Sequence, residues 1–409
     1  MPMRILLLAP FPPNPEAGHA GGVVLWRMIQ DLAQWHQLDL ICFVQNKEEQ
    51  RAIETLAGHC SVVQTVLHSD SSVSSDFSLR PLQRARSLFL SQLPYNVWRL
   101  RSRPMFKAVK NAVEATHYDI VQVEFTPMGQ YVDALAGHPR TVFREHDLAF
   151  VHFQRRVSTE SKPWRRLYHY EQWRRMVRYE LDVCRQFHKI IVPSPQAKSQ
   201  LLAQAPNLDV EAVSFGVTLP ETLAPAKTLE THRVLFVGAM GRPLNVESVL
   251  YFYRQIWPLI RADEPSVEFW IVGSQPPEHI RQLAQTDSSV RVTGFVDDLM
   301  SIYSQASVVV VPLLVGGGVV TKILDALALA KPVVTTSAAN EGIGALSGQD
   351  LIVADEPDEF AKWVVGLLRD PALRARLGQS GRRLVKERFS WPRIIDQLEQ
   401  IYVQLLNGT

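Results

Sequence analysis

Residues 308–334 read VVVVPLLVGGGVVTKILDALALAKPVV. The valines at the start predict a buried strand, and the apolar residues after Lys322 predict a helix. Three consecutive glycines, Gly316–Gly318, lie between these two elements, and a second apolar run begins at Pro332. Strand, glycine turn, helix and strand form the sequence pattern of a βαβ unit, which predicts an α/β fold with a parallel sheet.

The same alternation of short apolar runs and helical patterns extends in both directions from this stretch. In the first half, we expect strands at Arg4–Pro10, Leu38–Val44, Ser61–Leu67, Tyr118–Glu124, Thr141–Glu145 and Lys189–Ser194. In the second half, we expect strands at Arg233–Gly238, Val267–Gly273, Val290–Phe295, Ser307–Leu313, Pro332–Thr336 and Asp350–Ala354. A stretch with two prolines and no hydrophobic period separates the two halves.

These patterns predict two Rossmann-like domains that face each other across a cleft, with ligands at the carboxyl ends of the strands. We place the N-terminal, acceptor-side domain at 1–215, a linker at 216–228 and the nucleotide-binding domain at 229–388. A closing helix is expected within 389–409. A chain of 409 residues exceeds what one hydrophobic core usually serves, which supports two domains.

The composition favours an ordinary globular protein of the cytoplasm. Hydrophobic residues make up 46% and charged residues 21% of the chain. The three cysteines have no Cys-x-x-Cys spacing, which argues against a disulfide framework or a zinc site. The apolar run near the start is too short for a signal peptide, and no run is long enough to span a membrane.

The glycine turn of the opening stretch predicts a phosphate site. Exposed amides at the start of a helix attract anions, and Lys322 adds a full charge within the first turn. Asp325 lies three residues further on the same helix face, where it can accept hydrogen bonds from two ribose hydroxyls. The alternative is a surface Lys–Asp pair, but the apolar surroundings indicate that both charges are buried and therefore functional.

Three other loops that follow strands are weaker candidates. Gly21 and Gly22 open an amphipathic helix and either bind a ligand through backbone amides or form a tight turn. His146 ends a buried strand and either binds a sugar hydroxyl or phosphate or is satisfied by a loop carbonyl.

The third of these loops follows Gly238. Arg242 is suited to hold a diphosphate bidentately, or it is a solvated cation. Asn245 is expected to cap a helix that begins near Val246.

The segment GFVDDLMSIYSQASVVVVPLLVGGGVVTKILDALALAKPVVTTSAANEGI resembles the donor-binding core of the family-4 glycosyltransferases, which have the GT-B fold. The resemblance runs from Gly21–Gly22 to the FSW segment that ends at Trp391. It implies a retaining transferase that uses a nucleotide sugar, with the turn at Gly294 and Phe295 beside the base. It also implies that Asp325 binds the ribose.

Several positions depart from the family pattern. Gly317 stands where the first glutamate of the usual Glu-x7-Glu pair is expected, and Val320 and Ala239 replace arginines. Leu244 replaces a lysine, so Lys322 is the one clearly retained cation, with Arg242 as a possible substitute. A nucleotide-sugar epimerase and a non-catalytic sugar-nucleotide-binding protein therefore stay open as alternatives.

No Asp-x-Asp triplet is present to hold a metal–diphosphate complex, so we expect neither a metal nor any other cofactor. Lys322, helix amides and Arg242 would then stabilise the leaving group. With these positions, we expect His146, Lys322 and Arg242 in catalysis and a UDP- or GDP-sugar as donor.

The N-terminal half carries the larger positive charge, a net +5 over residues 1–218 against −3 over 219–409. Eight basic residues and no acid occur between Phe77 and Asn111, and a second basic stretch runs from Arg155 to Arg178. Basic residues beside aromatic ones suit an anionic membrane surface, although solvated helices with aromatic core residues are the plain alternative. No nucleic-acid motif is present. We therefore expect a transferase of polysaccharide or glycolipid assembly, cytoplasmic or peripheral at the inner membrane face, that acts on a glycan or lipid-linked acceptor.

Overall fold

The computed structural model describes residues 2–15, 20–56, 58–68, 91–223, 232–315 and 318–408. The chain divides into two compact units. Unit 1 contains Met1–Ser214 together with Ile394–Thr409, and unit 2 contains Phe215–Arg393.

Unit 1 is built on seven parallel strands. These are β1 (Arg4–Ala9), β2 (Gln37–Val44), β3 (Val62–Leu67), β4 (Ile120–Glu124), β5 (Thr141–Arg144), β6 (Lys189–Val192) and β7 (Val210–Ala212). Their order in the sheet is β3-β2-β1-β4-β5-β6-β7. The helices are Ala20–Leu32, Lys47–Ala52, Tyr95–Trp98, Arg103–Ala115, Ala149–Thr159, Pro163–Cys184 and Pro195–Gln204, with 3-10 segments at Ile53–Leu56 and Thr126–Leu135.

Local sequence explains where several of these helices begin. The Ser102 hydroxyl accepts a hydrogen bond from the Met105 amide, and the Ser194 hydroxyl accepts one from the Ala197 amide. In both helices a proline occupies the first turn, where its missing N–H costs no helical hydrogen bond.

Unit 2 is built on six parallel strands. These are β8 (Arg233–Val237), β9 (Glu268–Val272), β10 (Val290–Gly294), β11 (Val308–Val311), β12 (Val333–Thr335) and β13 (Ile352–Val353), in the order β10-β9-β8-β11-β12-β13. The helices are Pro243–Tyr251, Trp257–Asp263, Glu278–Thr286, Leu299–Ser304, Thr321–Ala328, Ser337–Asn340, Pro357–Arg369 and Pro371–Arg388, with a π-helical turn at Phe252–Ile256. A last helix, Trp391–Asn407, begins in unit 2 and ends in unit 1.

Side chains that alternate along the strands of unit 2 enter two hydrophobic cores. Val234 and Phe236 belong to the core on one face of the sheet, whereas Leu235 and Val237 belong to the core on the other. Burial on both faces is the reason that these strands read as unbroken apolar runs.

The predicted α/β class with two Rossmann-like domains is confirmed, and all twelve predicted strands are present within two residues or so of their expected bounds. The sequence missed β7. It has three residues at the edge of its sheet, too few to show a period.

Candidate functional site

Each sheet reverses its strand order at one place. In unit 1 the chain leaves β1 in one direction and returns through β4 in the other, and in unit 2 the corresponding pair is β8 and β11. Loops that follow such a pair separate in opposite directions and leave a crevice at the carboxyl ends of the strands. We call these two places the switch point of unit 1 and the switch point of unit 2.

Lys322 lies at the switch point of unit 2, in the first turn of the Thr321–Ala328 helix, as predicted. Its Nζ donates a hydrogen bond to Asn245 Oδ1 at 2.7 Å and lies 4.4 Å from the centre of the Phe236 ring. Asn245 Nδ2 in turn donates to the Ala239 carbonyl at 2.8 Å, which fixes the amide orientation. The loop after β8 therefore holds the lysine that follows β11.

The electrostatics of Lys322 are those of a cation without a counter-ion. Burial and, to a smaller extent, the nearby charge of Arg242 lower the pKa of Lys322 to about 7. Within the described ranges neither Lys322 nor Arg242 forms an ion pair with a carboxylate. Two neighbouring cations, of which Lys322 is held by a neutral amide and Arg242 is exposed, favour a bound anion, because an anion would restore the charged state of the lysine.

The prediction for Asn245 as a helix cap is wrong. The helix begins at Pro243, with Arg242 as its N-cap residue and no capping side chain. The proline fixes the first turn earlier than the apolar pattern suggests. Asn245 thus lies inside the first turn, buried, and its side chain is available to Lys322.

Two glycines allow the loops of this site to pack closely. A Cβ atom at Gly238 would lie 2.7 Å from Lys322 Nζ and 2.9 Å from Asn245 Nδ2. A Cβ atom at Gly273 would lie 1.9 Å from the Gly238 carbonyl oxygen. Sequence reasoning singled out Gly238 but treated Gly273 only as the end of a strand.

Asp325 differs from the expectation in one respect. The sequence predicted burial of both charges, but Asp325 is exposed, whereas its neighbours Leu324 and Ala326 are fully buried. The helix packs its apolar sides into the core and leaves this carboxylate open to solvent. The protein around it nonetheless restricts its solvation and raises its pKa to about 7. Its charge also raises the pKa of the buried Tyr303, after the larger effect of burial.

Gly294 ends β10, and Phe295 follows it. Gly294 has φ +77°, in the left-handed region that favours glycine, and a Cβ atom there would meet nothing. The glycine is therefore required by backbone conformation rather than by space. Phe295 is 74% exposed, a large apolar ring that no core residue covers.

Part of the predicted phosphate cradle lies outside the described residues, namely Gly316 and Gly317. Gly318 is described and has φ +90°. Its carbonyl oxygen would lie 2.3 Å from a Cβ atom at Gly342, so that the glycine turn packs against the loop after β12. No side chain caps the helix that follows the turn.

In unit 1, His146 follows β5 and is buried at 7% exposure. Its Nε2 lies 2.7 Å from Glu124 Oε2, and its ring stacks on Phe125 with the centres 3.6 Å apart. Burial lowers the pKa of His146, an effect that Glu124 partly opposes. Burial by itself raises the pKa of Glu124, but His146, Arg144 and Gln122 together outweigh it and hold that pKa below the ordinary value. The pair is therefore a carboxylate and a neutral imidazole near pH 7.

Gly21 and Gly22 open the helix Ala20–Leu32, as predicted. The structure supplies a packing reason for the first glycine, because a Cβ atom at Gly21 would lie 3.0 Å from Phe125 Cζ. Phe125 itself has φ +70°, an uncommon conformation for a residue with a side chain, and its ring packs edge-on against Phe11. Aromatic side chains thus occupy the switch point of unit 1.

The basic stretches of unit 1 lie on the surface where they are described. Arg99, Arg101 and Arg103 are exposed, whereas the predicted positions Arg80, Arg84 and Arg86 lie outside the described residues. In the second stretch Trp164 is 67% and Leu167 is 70% exposed. The alternative in which the aromatic residues of this stretch lie in the core is therefore wrong for Trp164.

The described ranges contain neither a metal-binding cluster nor a membrane-spanning helix. No group of three or more His, Cys, Asp or Glu side chains is placed to hold a metal ion. None of the helices there has both the length and the apolar composition needed to cross a bilayer. Metal independence stays a prediction.

Residues 231–370, which carry the switch point of unit 2, match the family described as glycosyl transferases group 1. This segment is similar to the group 1 glycosyltransferase domain. Together with the two Rossmann-like sheets, it supports a glycosyltransferase of the GT-B fold. The match contains Lys322, Asp325 and Asn245, so the geometry described for unit 2 lies within the matched segment.

Known proteins are similar to this chain over most of its length. The chain is 20% identical to an uncharacterized 44.6 kDa protein in the cps region of Klebsiella pneumoniae, over 97% of this chain and 98% of that protein. It is 25% identical to the MMP alpha-(1->4)-mannosyltransferase of Mycolicibacterium hassiacum, over 68% of this chain and 67% of that enzyme. The structure of Anabaena HepE in complex with UDP superposes with a TM-score of 0.70 at 15% identity, covering 98% of this chain and 100% of that one.

Proposed function

We propose that this glycosyltransferase is a retaining, metal-independent hexosyltransferase that uses a UDP- or GDP-sugar. The observation that carries the proposal is the pair of cations at the switch point of unit 2, Lys322 and Arg242, without a carboxylate partner among the described residues. A diphosphate supplies the missing negative charge.

The remaining parts of a nucleotide sugar have matching groups in the same unit. The exposed Phe295 ring suits stacking against a base, and the exposed Asp325 carboxylate suits two ribose hydroxyls. UDP is bound in the structure of Anabaena HepE, which has the same fold. The retaining outcome and the hexose rest on the resemblance to family-4 enzymes.

In this proposal Lys322 stabilises the departing diphosphate. As the bond between sugar and phosphate breaks, negative charge grows on the leaving oxygen, and a fixed ammonium group stabilises that charge without reorganisation. Asn245 keeps Nζ in place before the donor arrives. The role of a divalent cation is then taken by Lys322, Arg242 and the uncapped helix amides.

The acceptor is a lipid-linked or glycan molecule used in polysaccharide or glycolipid assembly, and the enzyme works at the cytoplasmic membrane surface. Exposed arginines at 99, 101 and 103 and the exposed Trp164 and Leu167 support docking on anionic lipid. His146, in unit 1, is assigned to the acceptor side.

A non-catalytic sugar-nucleotide-binding protein is the second candidate. It is favoured by Gly317, Val320 and Ala239, which stand where related enzymes carry a glutamate and two arginines. Such a protein would bind the donor without turnover.

The deciding experiment has two steps. A thermal-shift screen of nucleotide sugars identifies the donor, since a ligand at 100 times its Kd adds about 2.7 kcal/mol to stability. Release of nucleoside diphosphate from that donor, and conversion of the donor to an epimer, are then measured with and without a membrane extract. Turnover that requires the extract supports the transferase, turnover without it points to an epimerase or hydrolase, and stabilisation without turnover supports the binding protein.

A further inference from the structure

A chain of buried hydrogen bonds in unit 1 joins the last helix to His146. Tyr402 donates from its hydroxyl to Gln122 Oε1 at 2.6 Å, and Gln122 Nε2 lies 2.5 Å from Glu124 Oε1. The other carboxylate oxygen, Oε2, lies 2.7 Å from His146 Nε2. Three of the four side chains are fully buried, and His146 is 7% exposed.

The positions of the hydrogens follow from which of these groups can donate and which can accept hydrogen bonds. An ionised Glu124 only accepts hydrogen bonds, so Gln122 must turn its Nε2 toward it and its Oε1 toward Tyr402. The tyrosine hydroxyl is then the donor of that contact. At the other end, the Glu124 oxygen requires a hydrogen on His146 Nε2. Neutral His146 therefore carries its lone pair on Nδ1.

We propose that Tyr402, Gln122 and Glu124 are positioning residues that hold His146 in the Nε2–H tautomer and in one ring orientation against Phe125. The inference rests on the proposed function in so far as it gives His146 a role at the acceptor. Its structural part concerns the imidazole alone and is measurable without any substrate.

The position of Tyr402 gives the last helix a part in the site. The segment Ile394–Thr409 belongs to unit 1, although it is far in sequence from the rest of that unit. A second contact, between Glu399 Oε1 and His36 Nε2 at 3.2 Å, ties the same helix to the start of β2. The helix is thus held at two polar points, and one of them continues to His146.

The test is the tautomer state of His146, read from two-bond 1H–15N correlation spectra of protein labelled at histidine. The His146→Gln variant assigns the signal. Tyr402→Phe removes one oxygen and leaves Gln122 Oε1 without its donor, so we expect a shift from the Nε2–H pattern toward a mixture of tautomers. Glu124→Gln, which replaces the ionised acceptor by an amide, should give a larger change of the same kind.

Tyr131→Phe is the matched control. It removes a buried hydroxyl of unit 1 that donates to the Leu100 carbonyl at 2.5 Å, away from the chain described here, and it should leave the His146 signal as in the parent. If Tyr402→Phe and Glu124→Gln both leave that signal unchanged, the proposal is wrong.

The second readout is turnover of the donor. We expect Tyr402→Phe to lower kcat by about threefold to tenfold, the effect of one lost hydrogen bond, while the KM for the donor stays at the parental value. If Tyr402→Phe changes the tautomer of His146 but His146→Ala keeps full activity, the positioning of the imidazole is upheld. The assignment of His146 to the acceptor is then wrong.

Discussion

The two switch points occupy equivalent places in two parallel sheets, yet different side chains fill them. In unit 2 the crevice holds the cation Lys322 against a neutral amide, with Arg242 nearby and glycines that keep side chains away. In unit 1 the equivalent place holds aromatic rings and a neutral His146 that is hydrogen-bonded to the Glu124 carboxylate. The site of unit 2 has cations without a carboxylate partner among the described residues, whereas the site of unit 1 already contains a carboxylate.

This difference indicates how one architecture serves two ligands. A parallel sheet provides the crevice, and the loops provide the chemistry. The proposed diphosphate would be matched by Lys322 and Arg242, which form no ion pair among the described residues, whereas a neutral hydroxyl would be matched by the uncharged His146. The following predictions test this contrast, in order of decreasing effect.

Replacement of Lys322 by Ala should lower transfer by about two to three decades, because it removes the charge directed at the departing diphosphate. The measurement is the rate of nucleoside diphosphate release at saturating donor. Lys362→Ala, an exposed lysine of the same unit, is the control and should match the parent. A parental rate in Lys322→Ala would contradict the assignment of the anion site to unit 2.

The basic surface of unit 1 should bind anionic vesicles. Replacing Arg99, Arg101 and Arg103 by Ser removes about 1 kcal/mol of attraction per residue, so the partition coefficient should fall by up to about a hundredfold at low salt. Co-sedimentation with vesicles of increasing anionic-lipid content measures it, and binding should weaken as salt shortens the Debye length.

A charge-matched variant of unit 2, with Lys362, Arg383 and Lys386 replaced by Ser, controls for net charge and should bind vesicles like the parent. Equal loss in both triple variants would mean that net charge alone drives the association and that unit 1 has no docking surface.

Asp325→Asn should weaken nucleotide binding by about tenfold, since one accepting oxygen replaces two. Calorimetry at pH 8.5 is suitable, because the parental carboxyl, with its pKa raised to about 7, is ionised there. Unchanged affinity would make Asp325 a structural residue and remove the ribose contact from the proposed site.

Binding of a nucleotide sugar should take up protons at pH 8. Free Lys322, with its pKa lowered to about 7, is mostly neutral at that pH, and a bound diphosphate raises the pKa. Uptake should approach about 0.9 proton per donor if the bound lysine is fully charged. Affinity should accordingly fall as pH rises above 7.

Calorimetry in two buffers of different ionisation enthalpy measures this uptake. A nucleotide sugar is the appropriate ligand because its diphosphate has no ionisation near neutral pH. Lys322→Met should bind without proton uptake, and uptake that persists in this variant would assign the titration to another group.

The smallest expected effect is that of chelation. Activity should survive excess EDTA, because the cations and helix amides of unit 2 take the role of a metal ion. If EDTA abolishes turnover and magnesium or manganese restores it, the enzyme requires a divalent cation, and the prediction of metal independence is wrong.

Much of the fold could be predicted from the sequence, because strands, helices and turns depend on residues that are close together in the chain. Apolar runs and glycine turns repeat along each half, and they predicted twelve of the thirteen strands and the positions of Lys322, Asp325 and His146 just after strands. The sequence also showed that the N-terminal half carries the larger basic charge.

The hydrogen-bond partners of those residues could not be predicted from the sequence in the same way. Asn245 and Lys322 are 77 positions apart, and Gln122 and Tyr402 are 280 positions apart, so no periodicity connects them. One signal was available for Glu124, since polar side chains at 122 and 124 interrupt an otherwise apolar strand at alternate positions. That pattern indicates two polar groups on one face of the sheet, but not the histidine they serve.

The sequence by itself determined the class of the fold, the order of its elements and the types of residue that follow the strands, because these depend on neighbours within a few positions. Only the tertiary structure decided which side chains meet. Strand order brings the loop after β8 beside the helix after β11 and the last helix beside β4, and that order is set by the packing of the whole sheet. The exposure of Asp325 and the pairing of Lys322 with an amide follow from that packing.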